Sequence, residues 1–267
     1  MEDRIRTKPV SNDVIIPAAT VLMLRQGESP LEVFMVVRHH QIDFASGALV
    51  FPGGKVDPHD YEIRARCEGA AATDEQLAFQ VAAIREAFEE CGVLLARPRG
   101  SDQLIEGSRL QTLEHYRDPL ARGEIGINEF LSAEDLNLAC DLLVPYSRWI
   151  TPEMMPKRFD TYFYLAIAPE DHLAIHDGHE SVDSVWISPQ QALAGAKNGT
   201  YTIIFPTRLN IEMLATSDSV TSALQDAKAR TIAPVLPWME EREDGNYVCI
   251  AADAGYEVTA EKMTAGA

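Results

Sequence analysis

Three glutamates close together in the chain are the residues best suited to chemistry. Glu86, Glu89 and Glu90 stand at positions i, i+3 and i+4, and on an α-helix these positions share one face. Carboxylates that close repel one another unless a cation lies among them. Hard cations such as Mg²⁺ and Mn²⁺ take oxygen ligands, so the pattern indicates a divalent metal site. The alternative is an acidic helix face in contact with water, which is common.

A pair of glycines precedes the glutamates. Gly53 and Gly54 follow Pro52 at the end of a short apolar run, residues 48–51. Two adjacent glycines let the backbone approach a phosphate closely and present its N–H groups to it. An ordinary tight turn is the alternative interpretation.

Four cationic side chains are candidates for contacting the phosphates of a ligand. They are Arg38, Lys55, Lys157 and Arg158. Lys55 adjoins the glycine pair and is therefore the preferred candidate. Each of the four could instead be a surface charge that keeps the protein in solution.

The glutamates need a helix to hold them on one side. Thr73 and Gln76 have the spacing of a helix-capping box. After them, apolar residues recur at alternating intervals of four and three: Leu77, Val81, Ile84, Phe88, Cys91 and Leu95. Further apolar residues project on the side of the glutamates: Phe79, Ala82 and Val93. The pattern predicts one long helix that other elements cover on both sides and that ends or bends at Gly92.

Strands should surround this helix. Runs rich in β-branched and aromatic residues predict strands over residues 14–24, 31–38, 159–167 and 185–187. Turn residues at 27–30 predict a hairpin between the first two.

Further helices are predicted from their start signals. Ser188 followed by Pro189 is typical of a helix start, residues 206–215 form an amphipathic pattern, and Ser132 with Asp135 suggests another start. Mixed strands and helices in this order predict an α+β fold built as an α/β/α sandwich.

The charge and composition restrict the partners of the protein. With 267 residues, 46% of them hydrophobic, the chain can bury a large core. Lys and Arg number 23 against 41 Asp and Glu, a net charge of −18. This charge repels polyanions, so we expect no nucleic-acid partner. A small phosphorylated substrate remains compatible with it if local cations offset the field.

Localisation follows from the apolar runs and the cysteines. No apolar run approaches the roughly 18 residues that span a bilayer, and the charged N-terminus does not resemble a signal peptide. The four cysteines are widely spaced, which favours reduced thiols over disulfides or a zinc site. We therefore expect a soluble, cytoplasmic protein without a membrane partner.

A known signature contains several of these residues. Gly54-x5-Asp60, followed by the run Arg85 to Val93 (R-E-A-F-E-E-C-G-V), resembles the Nudix box, G-x5-E-x7-R-E-U-x-E-E-x-G-U, in which U is a bulky aliphatic residue. The chain departs from it at three points. Asp60 replaces the first Glu, Ala87 replaces the first aliphatic residue, and 24 residues, 61–84, stand where the pattern has seven.

A wider resemblance covers roughly residues 10–215. Arg38-His39-His40, the run 47–54 and the segments at 151–152 and 158–161 look like the branch of Nudix hydrolases that contains coenzyme A diphosphatases. It implies a Nudix fold with a mixed sheet and helical insertions at about 61–80 and 100–145. The rest, 216–267, would be a C-terminal extension that packs on the domain or on a partner subunit in a homodimer.

The resemblance also implies roles for individual residues. Glu86, Glu89 and Glu90 would bind Mg²⁺ or Mn²⁺, and Arg85 would orient one of their carboxylates. Glu180, on a loop before the strand at 185–187, corresponds to a further metal ligand or general base. Its alternative is a solvated loop carboxylate.

The implied reaction is hydrolysis of a diphosphate bond, with coenzyme A or acyl-CoA as the leading substrate. NADH and ADP-ribose are alternative substrates within the same chemistry. A module that senses a nucleotide without cleaving it is an alternative from another class, but all three glutamates are present, which favours catalysis.

Overall fold

The computed structural model describes residues 14–38, 47–172, 174 and 181–263. The α-helices within these ranges are α1 (Asp74–Cys91), α2 (Gly107–Leu113), α3 (Arg117–Ala121), α4 (Ile127–Ala133), α5 (Pro189–Lys197), α6 (Phe205–Leu214) and α7 (Val220–Ala229). The strands up to α4 are β1 (Ile15–Arg25), β2 (Glu32–Arg38), β3 (Leu49–Val50), β4 (Gly53–Lys55), β5 (Cys67–Glu68) and β6 (Ala96–Pro98). The later strands are β7 (Leu136–Ala139), β8 (Val144–Ile150), β9 (Arg158–Ile167), β10 (Ser181–Ile187), β11 (Pro234–Val235), β12 (Trp238–Arg242), β13 (Gly245–Cys249) and β14 (Ala260–Lys262).

A mixed sheet forms the centre of the fold. Its strand order is β10-β2-β1-β9-β8-β11, with β3 paired to β2 and β4 paired to β1. β1 and β9 run parallel over ten residue pairs, whereas β1 and β2 are antiparallel and meet at Leu24 and Val33. This pairing confirms the predicted hairpin between the first two strands.

Two apolar cores lie on the two faces of this sheet. Side chains on β1 alternate between them: Val21 and Met23 belong to the core that α1 covers, and Leu22 and Leu24 to the opposite one. The second core is covered by α5, α6 and α7, which contribute Ala192, Leu209 and Ala223, among others. The α/β/α sandwich predicted from the sequence is thus confirmed.

The segments expected to be helical insertions are only partly helical. Before Asp74, the first holds 3-10 turns and β5; the second holds α2, α3 and α4 and then continues into β7 and β8. β5, β6 and β7 pair into a separate three-stranded sheet in which Leu138 of β7 lies opposite both Cys67 and Ala96. Pairing between segments so distant in sequence is tertiary structure that local propensity does not predict.

The prediction that a helix starts at Ser132 is wrong. α4 instead ends at Ala133, and Asp135 takes a left-handed φ of 50°. This conformation turns the chain into β7, whose Leu136 and Leu138 are buried in the first core. Ser132 therefore belongs to the end of one helix and not to the beginning of the next.

The C-terminal part of the chain packs on the same sheet. β11 runs parallel to β8, and α7 adds Ala223 and Ala227 to the second core. β12, β13 and β14 form a small antiparallel sheet, and Ile250 after β13 is buried in the second core. Within the described part of the chain, no helix is both long and apolar enough to cross a bilayer.

Candidate active site around helix α1

Helix α1 carries Glu86, Glu89 and Glu90 and is fixed at both ends. The Thr73 side chain accepts a hydrogen bond from the Gln76 N–H at the start, as the sequence predicts. Gly92 ends the helix in the left-handed conformation, with φ of 68°. Glu89 and Glu90 are each only 6% exposed, so these glutamates do not form the solvated helix face considered as the alternative. The helix is covered on both sides, as predicted.

The glycine pair lies directly against the glutamates. β4 pairs with β1 so that Gly53 lies opposite Thr20 and Gly54 opposite Ala19. The Gly53 N–H donates a hydrogen bond to Glu90 Oε2 at 2.9 Å. A Cβ on Gly54 would lie 2.4 Å from Glu86 Oε1, closer than any side chain can come. A side chain at position 54 would therefore displace the Glu86 carboxylate.

Arg85 connects the carboxylates of the site. Its Nη1 donates to Glu86 Oε1 at 2.9 Å and to the two oxygens of Glu89 at 3.0 and 3.1 Å. Its Nε and Nη2 donate to the two oxygens of Asp60 at 3.0 and 3.1 Å. Nη2 also donates to the Lys55 carbonyl at 2.7 Å. A planar guanidinium suits this arrangement because its N–H groups point in several fixed directions.

Asp60 reaches this site although 24 residues separate it from Arg85. It sits in a 3-10 turn, Pro58–Tyr61, and its side chain accepts a hydrogen bond from the Asp57 N–H while Asp57 caps the turn. Asp60 is 0% exposed. The substitution of Asp for Glu in the box therefore preserves a carboxylate that contacts the arginine.

The charges of the site are out of balance. Burial raises the pKa of Glu89 to about 8, and the Glu86 charge adds to the rise while Arg85 opposes it. Burial also raises the pKa of Asp60, although Arg85 is beside it. Burial lowers the pKa of Arg85, but the charges of Glu86, Asp60 and Glu89 outweigh it and leave that pKa raised. One guanidinium thus pairs with three carboxylates. When all three are ionised, the site carries more negative than positive charge.

The donors around the site suit a hard divalent cation. They are carboxylate oxygens on one helix face, the ligand type that Mg²⁺ and Mn²⁺ accept, and a cation would relieve the excess negative charge. Within the described ranges, no three or more Asp, Glu, His and Cys side chains are grouped so that they could hold a metal ion as they stand. The Glu86 and Glu89 carboxylates are turned toward Arg85 instead. A bound cation would share them with the guanidinium.

The other predicted site residues are spread along the sheet. The Lys55 side chain is exposed beside the glycine pair. Arg158, at the start of β9, donates to the Thr151 carbonyl at 3.1 Å and lies across β1 from β4. Lys157 is exposed and lies over the Phe159 ring.

Arg38 is the last described residue before a gap, whereas Glu180 falls in a gap. Arg38 ends β2, and its buried Nε makes no hydrogen bond with the described residues. Glu180 lies outside the described residues, and so do His39 and His40 and the residues from 175 to 179.

One contact at the end of α1 is not predicted by the sequence. Arg117, in the segment between α1 and β7, donates from Nε and Nη2 to the Glu89 carbonyl at 3.2 and 3.1 Å. Its sequence surroundings are those of a polar helix, and nothing in them separates it from a surface arginine. Only the tertiary fold brings it to the end of α1.

Comparison with known proteins relates the chain to one family. Residues 62–212, more than half of the chain, match the family model described as the NUDT19 Nudix domain. The human acyl-coenzyme A diphosphatase NUDT19 is 32% identical over 135 residues, which cover 48% of this chain and 36% of the human protein. The Gallus gallus protein of the same name is 28% identical over 241 residues, covering 68% of this chain and 63% of the relative. The alignments thus include less than two thirds of either relative.

A solved structure resembles most of the chain. The crystal structure of a NUDIX hydrolase from Alicyclobacillus acidocaldarius superposes with a TM-score of 0.65 at 30% sequence identity. The match covers 79% of this chain and 96% of that one.

Proposed function

We propose that this chain, which belongs to the Nudix hydrolase family and to its NUDT19 group, hydrolyses the diphosphate bond of a small nucleotide-linked substrate. The reaction would use Mg²⁺ or Mn²⁺. The observation that carries the proposal is the contact between the glycine pair and the buried glutamates of α1. Gly53 donates to Glu90, and a side chain at position 54 would displace the Glu86 carboxylate. A diphosphate bound beside this glycine pair would lie next to the carboxylates proposed to bind the cation.

The residues of the chain have separate tasks in this proposal. Glu86, Glu89 and Glu90 hold the cation, Arg85 orients Glu89 through two hydrogen bonds, and Asp60 keeps Arg85 in place. When bound, the cation supplies charge neutralisation on the diphosphate and a more acidic water. Burial of the glutamates limits competing water and strengthens electrostatic interactions in the site. Glu180 remains the proposed general base or further ligand.

The proposed substrate is coenzyme A or an acyl-CoA. The support is the name of the human and Gallus gallus relatives, acyl-coenzyme A diphosphatase. NADH and ADP-ribose are the alternatives, because they contain the same diphosphate linkage.

Arg38 offers a way to recognise the nucleotide end of such a substrate. The Arg38 N–H donates to the Ala48 carbonyl. Ala48 is five residues before Gly53, so at most about 17 Å of extended chain separates Ala48 from the glycine pair. An arginine whose buried Nε makes no hydrogen bond with the described residues can bind a phosphate well separated from the diphosphate. The 3′-phosphate of coenzyme A is such a group. Lys55, with its exposed ammonium beside Gly54, is the proposed contact for the diphosphate itself, and Arg158 for a more distant part.

We also propose that residues 10–215 form the Nudix domain and that 216–267 extend it. Support comes from the pairing of β11 with β8 and from Ile250, which is buried in the second core. The extension then stabilises the sandwich from the side opposite α1.

The proposed function is tested by turnover of coenzyme A, acetyl-CoA, dephospho-CoA, NADH and ADP-ribose with Mg²⁺ or Mn²⁺. We expect wild-type turnover of the CoA compounds and a loss of at least roughly 100-fold in kcat for Glu90→Gln, since lost outer partners of a metal site alone cost 10–100-fold. Glu75→Gln, an exposed glutamate on the first turn of α1, is the matched control and should keep wild-type kcat.

Two results would change the proposal. Absence of turnover on the whole panel, together with a melting temperature that rises when a nucleotide is added, would replace the enzyme with a nucleotide sensor. A preference for NADH or ADP-ribose over the CoA compounds would keep the enzyme and discard the substrate. For Arg38→Gln, we expect a higher KM for coenzyme A but an unchanged KM for dephospho-CoA, which lacks the 3′-phosphate.

A further inference from the structure

The last turn of α1 leaves the Glu89 carbonyl to an unusual donor. In a continuing helix this carbonyl would accept from the Val93 N–H. Here Val93 donates to Ala87 at 3.2 Å and Gly92 to Phe88 at 2.9 Å, because the left-handed Gly92 reverses the chain. The carbonyl of a residue proposed to bind the cation is thus open to a side chain.

Arg117 takes this position. It is the first residue of α3, and its Nε and Nη2 lie 3.2 and 3.1 Å from the Glu89 carbonyl oxygen. Glu114, three residues earlier, holds Nη1 at 3.3 Å. The Arg117 side chain is only 12% exposed, so both hydrogen bonds form away from bulk water. A cation at a helix C-terminus also interacts favourably with the helix dipole.

Glu89 is therefore held from two directions. Arg85 fixes its carboxylate, and Arg117 fixes its backbone. Gly92 gives Arg117 its space: a Cβ there would lie 3.2 Å from Nη1. These contacts connect the segment between α1 and β7 to the proposed metal site.

We propose that Arg117 is a positioning residue that sets the location of Glu89 and thereby the affinity of the site for its divalent cation. The proposal rests on the proposed function of α1 as the metal-binding helix. Loss of the guanidinium frees the last turn of α1 to shift. Glu89 and Glu90 then no longer approach the cation together.

The test compares Arg117→Gln with Arg122→Gln and Arg117→Lys. Arg122 follows the same helix but is 60% exposed and pairs with Glu124. Calorimetry measures Mn²⁺ binding, and steady-state kinetics at saturating Mn²⁺ give kcat and KM. Backbone hydrogen exchange of residues 88–93 is measured in metal-free protein. For Arg117→Gln we expect roughly 10-fold weaker Mn²⁺ binding or more, faster exchange in the last turn of α1 and an unchanged substrate KM. Arg117→Lys should recover part of the affinity, since lysine can donate one hydrogen bond to the carbonyl. Arg122→Gln should match the wild type.

The outcomes separate this inference from the proposed function. If wild-type protein binds Mn²⁺ and Arg117→Gln binds it as tightly as Arg122→Gln does, the positioning role is overturned while the enzyme stands. If wild-type protein neither binds Mn²⁺ nor cleaves the panel, the proposed function falls and the role of Arg117 falls with it. Should Arg117→Gln unfold, Arg117→Lys decides: wild-type affinity with wild-type exchange in residues 88–93 would count against the proposal.

Discussion

Arg85 is surrounded by more negative charge than it can neutralise. It contacts Asp60, Glu86 and Glu89 at once, and the burial of these groups makes the imbalance costly. In the proposed function, this imbalance favours a divalent cation beside the carboxylates. Arg85 itself holds the three carboxylates together through its hydrogen bonds.

The stability of the metal-free protein should fall as the pH rises. The pKa of Glu89 is near 8 in the folded chain against an ordinary value of 4.5, so between these values the folded state keeps a proton that the unfolded state releases. Stability then decreases from about pH 4.5 to pH 8 and levels off above. Urea unfolding in a chelator checks this against Glu89→Gln. A stability difference between the two proteins that does not decline with pH would contradict the assignment.

Gly54→Ala should lower kcat with a modest effect on folding. The new methyl group would overlap the Glu86 carboxylate at 2.4 Å, and that carboxylate must move to make room. We expect kcat to fall at least about 10-fold, as for other lost supports of a metal site.

Gly123→Ala is the control for this change. Gly123 has a φ of 64° and nothing within 4 Å of an added Cβ, so alanine there costs stability through its backbone alone. Measured melting temperatures and kcat should separate the two variants. Equal losses of activity would mean that the effect of Gly54→Ala comes from stability.

At the scale of the element, the two ends of α1 differ in their importance for the site. The C-terminal end carries the glutamates and is fixed by Gly92 and Arg117. The N-terminal cap at Thr73 lies 13 residues before Glu86, roughly 20 Å along the helix. Its contribution should be to stability alone.

Thr73→Ala tests this separation. Loss of the hydrogen bond to the Gln76 N–H should lower the free energy of unfolding by about 1 kcal/mol, measured by urea denaturation. Mn²⁺ affinity and kcat should stay at their wild-type values, and Thr73→Ser should restore stability. A weaker Mn²⁺ affinity in Thr73→Ala would show that the helix transmits changes along its length.

The sequence predicted elements whose signals are local. The alternating apolar spacing, Thr73 and Gly92 were enough to place α1, and Ser188 followed by Pro189 was enough to place the start of α5. The small sheet of β5, β6 and β7 has strands of two to four residues, too short for any periodicity.

In the candidate site, too, the residues in short sequence motifs could be predicted and the long-range contacts could not. The glutamates and Arg85 lie in one short motif and the two glycines in another, so the sequence identified them. The contact of Asp60 with Arg85 depends on the packing of distant segments, and the motif indicates both residues but not that they touch. The contact of Arg117 with Glu89 has no signal in a single sequence, because Arg117 looks like an ordinary surface charge.

At the scale of the whole molecule, the C-terminal part of the chain contributes to one of the two cores. The Tyr256 hydroxyl accepts from Trp149 Nε1 at 2.9 Å and donates to Asn210 Oδ1 at 2.9 Å. Asn210 belongs to α6 and Trp149 to β8. One side chain of the extension thus joins a strand and a helix of the sandwich.

Tyr256→Phe should destabilise the protein by about 1–3 kcal/mol, the usual cost of leaving a buried donor without its partner. Tyr247→Phe, which removes an exposed hydrogen bond to Asp244, is the matched control and should change stability by less than about 0.5 kcal/mol. Urea unfolding should show one cooperative transition for both. A separate early transition in Tyr256→Phe would mean that the extension unfolds independently of the sandwich.

The ion pair between Asp60 and Arg85 brings the two ends of residues 61–84 together in space, and the first part of this stretch, residues 61–73, precedes α1. The length of residues 61–73 therefore has little influence on the position of Asp60 or Arg85, since lengthening a closed loop costs little free energy. The spacing of the sequence motif therefore differs here from the usual pattern, although the contact between the two residues is present. The same region is thus where relatives can gain or lose segments, and where a designer could insert a peptide or a reporter, without rebuilding the active site.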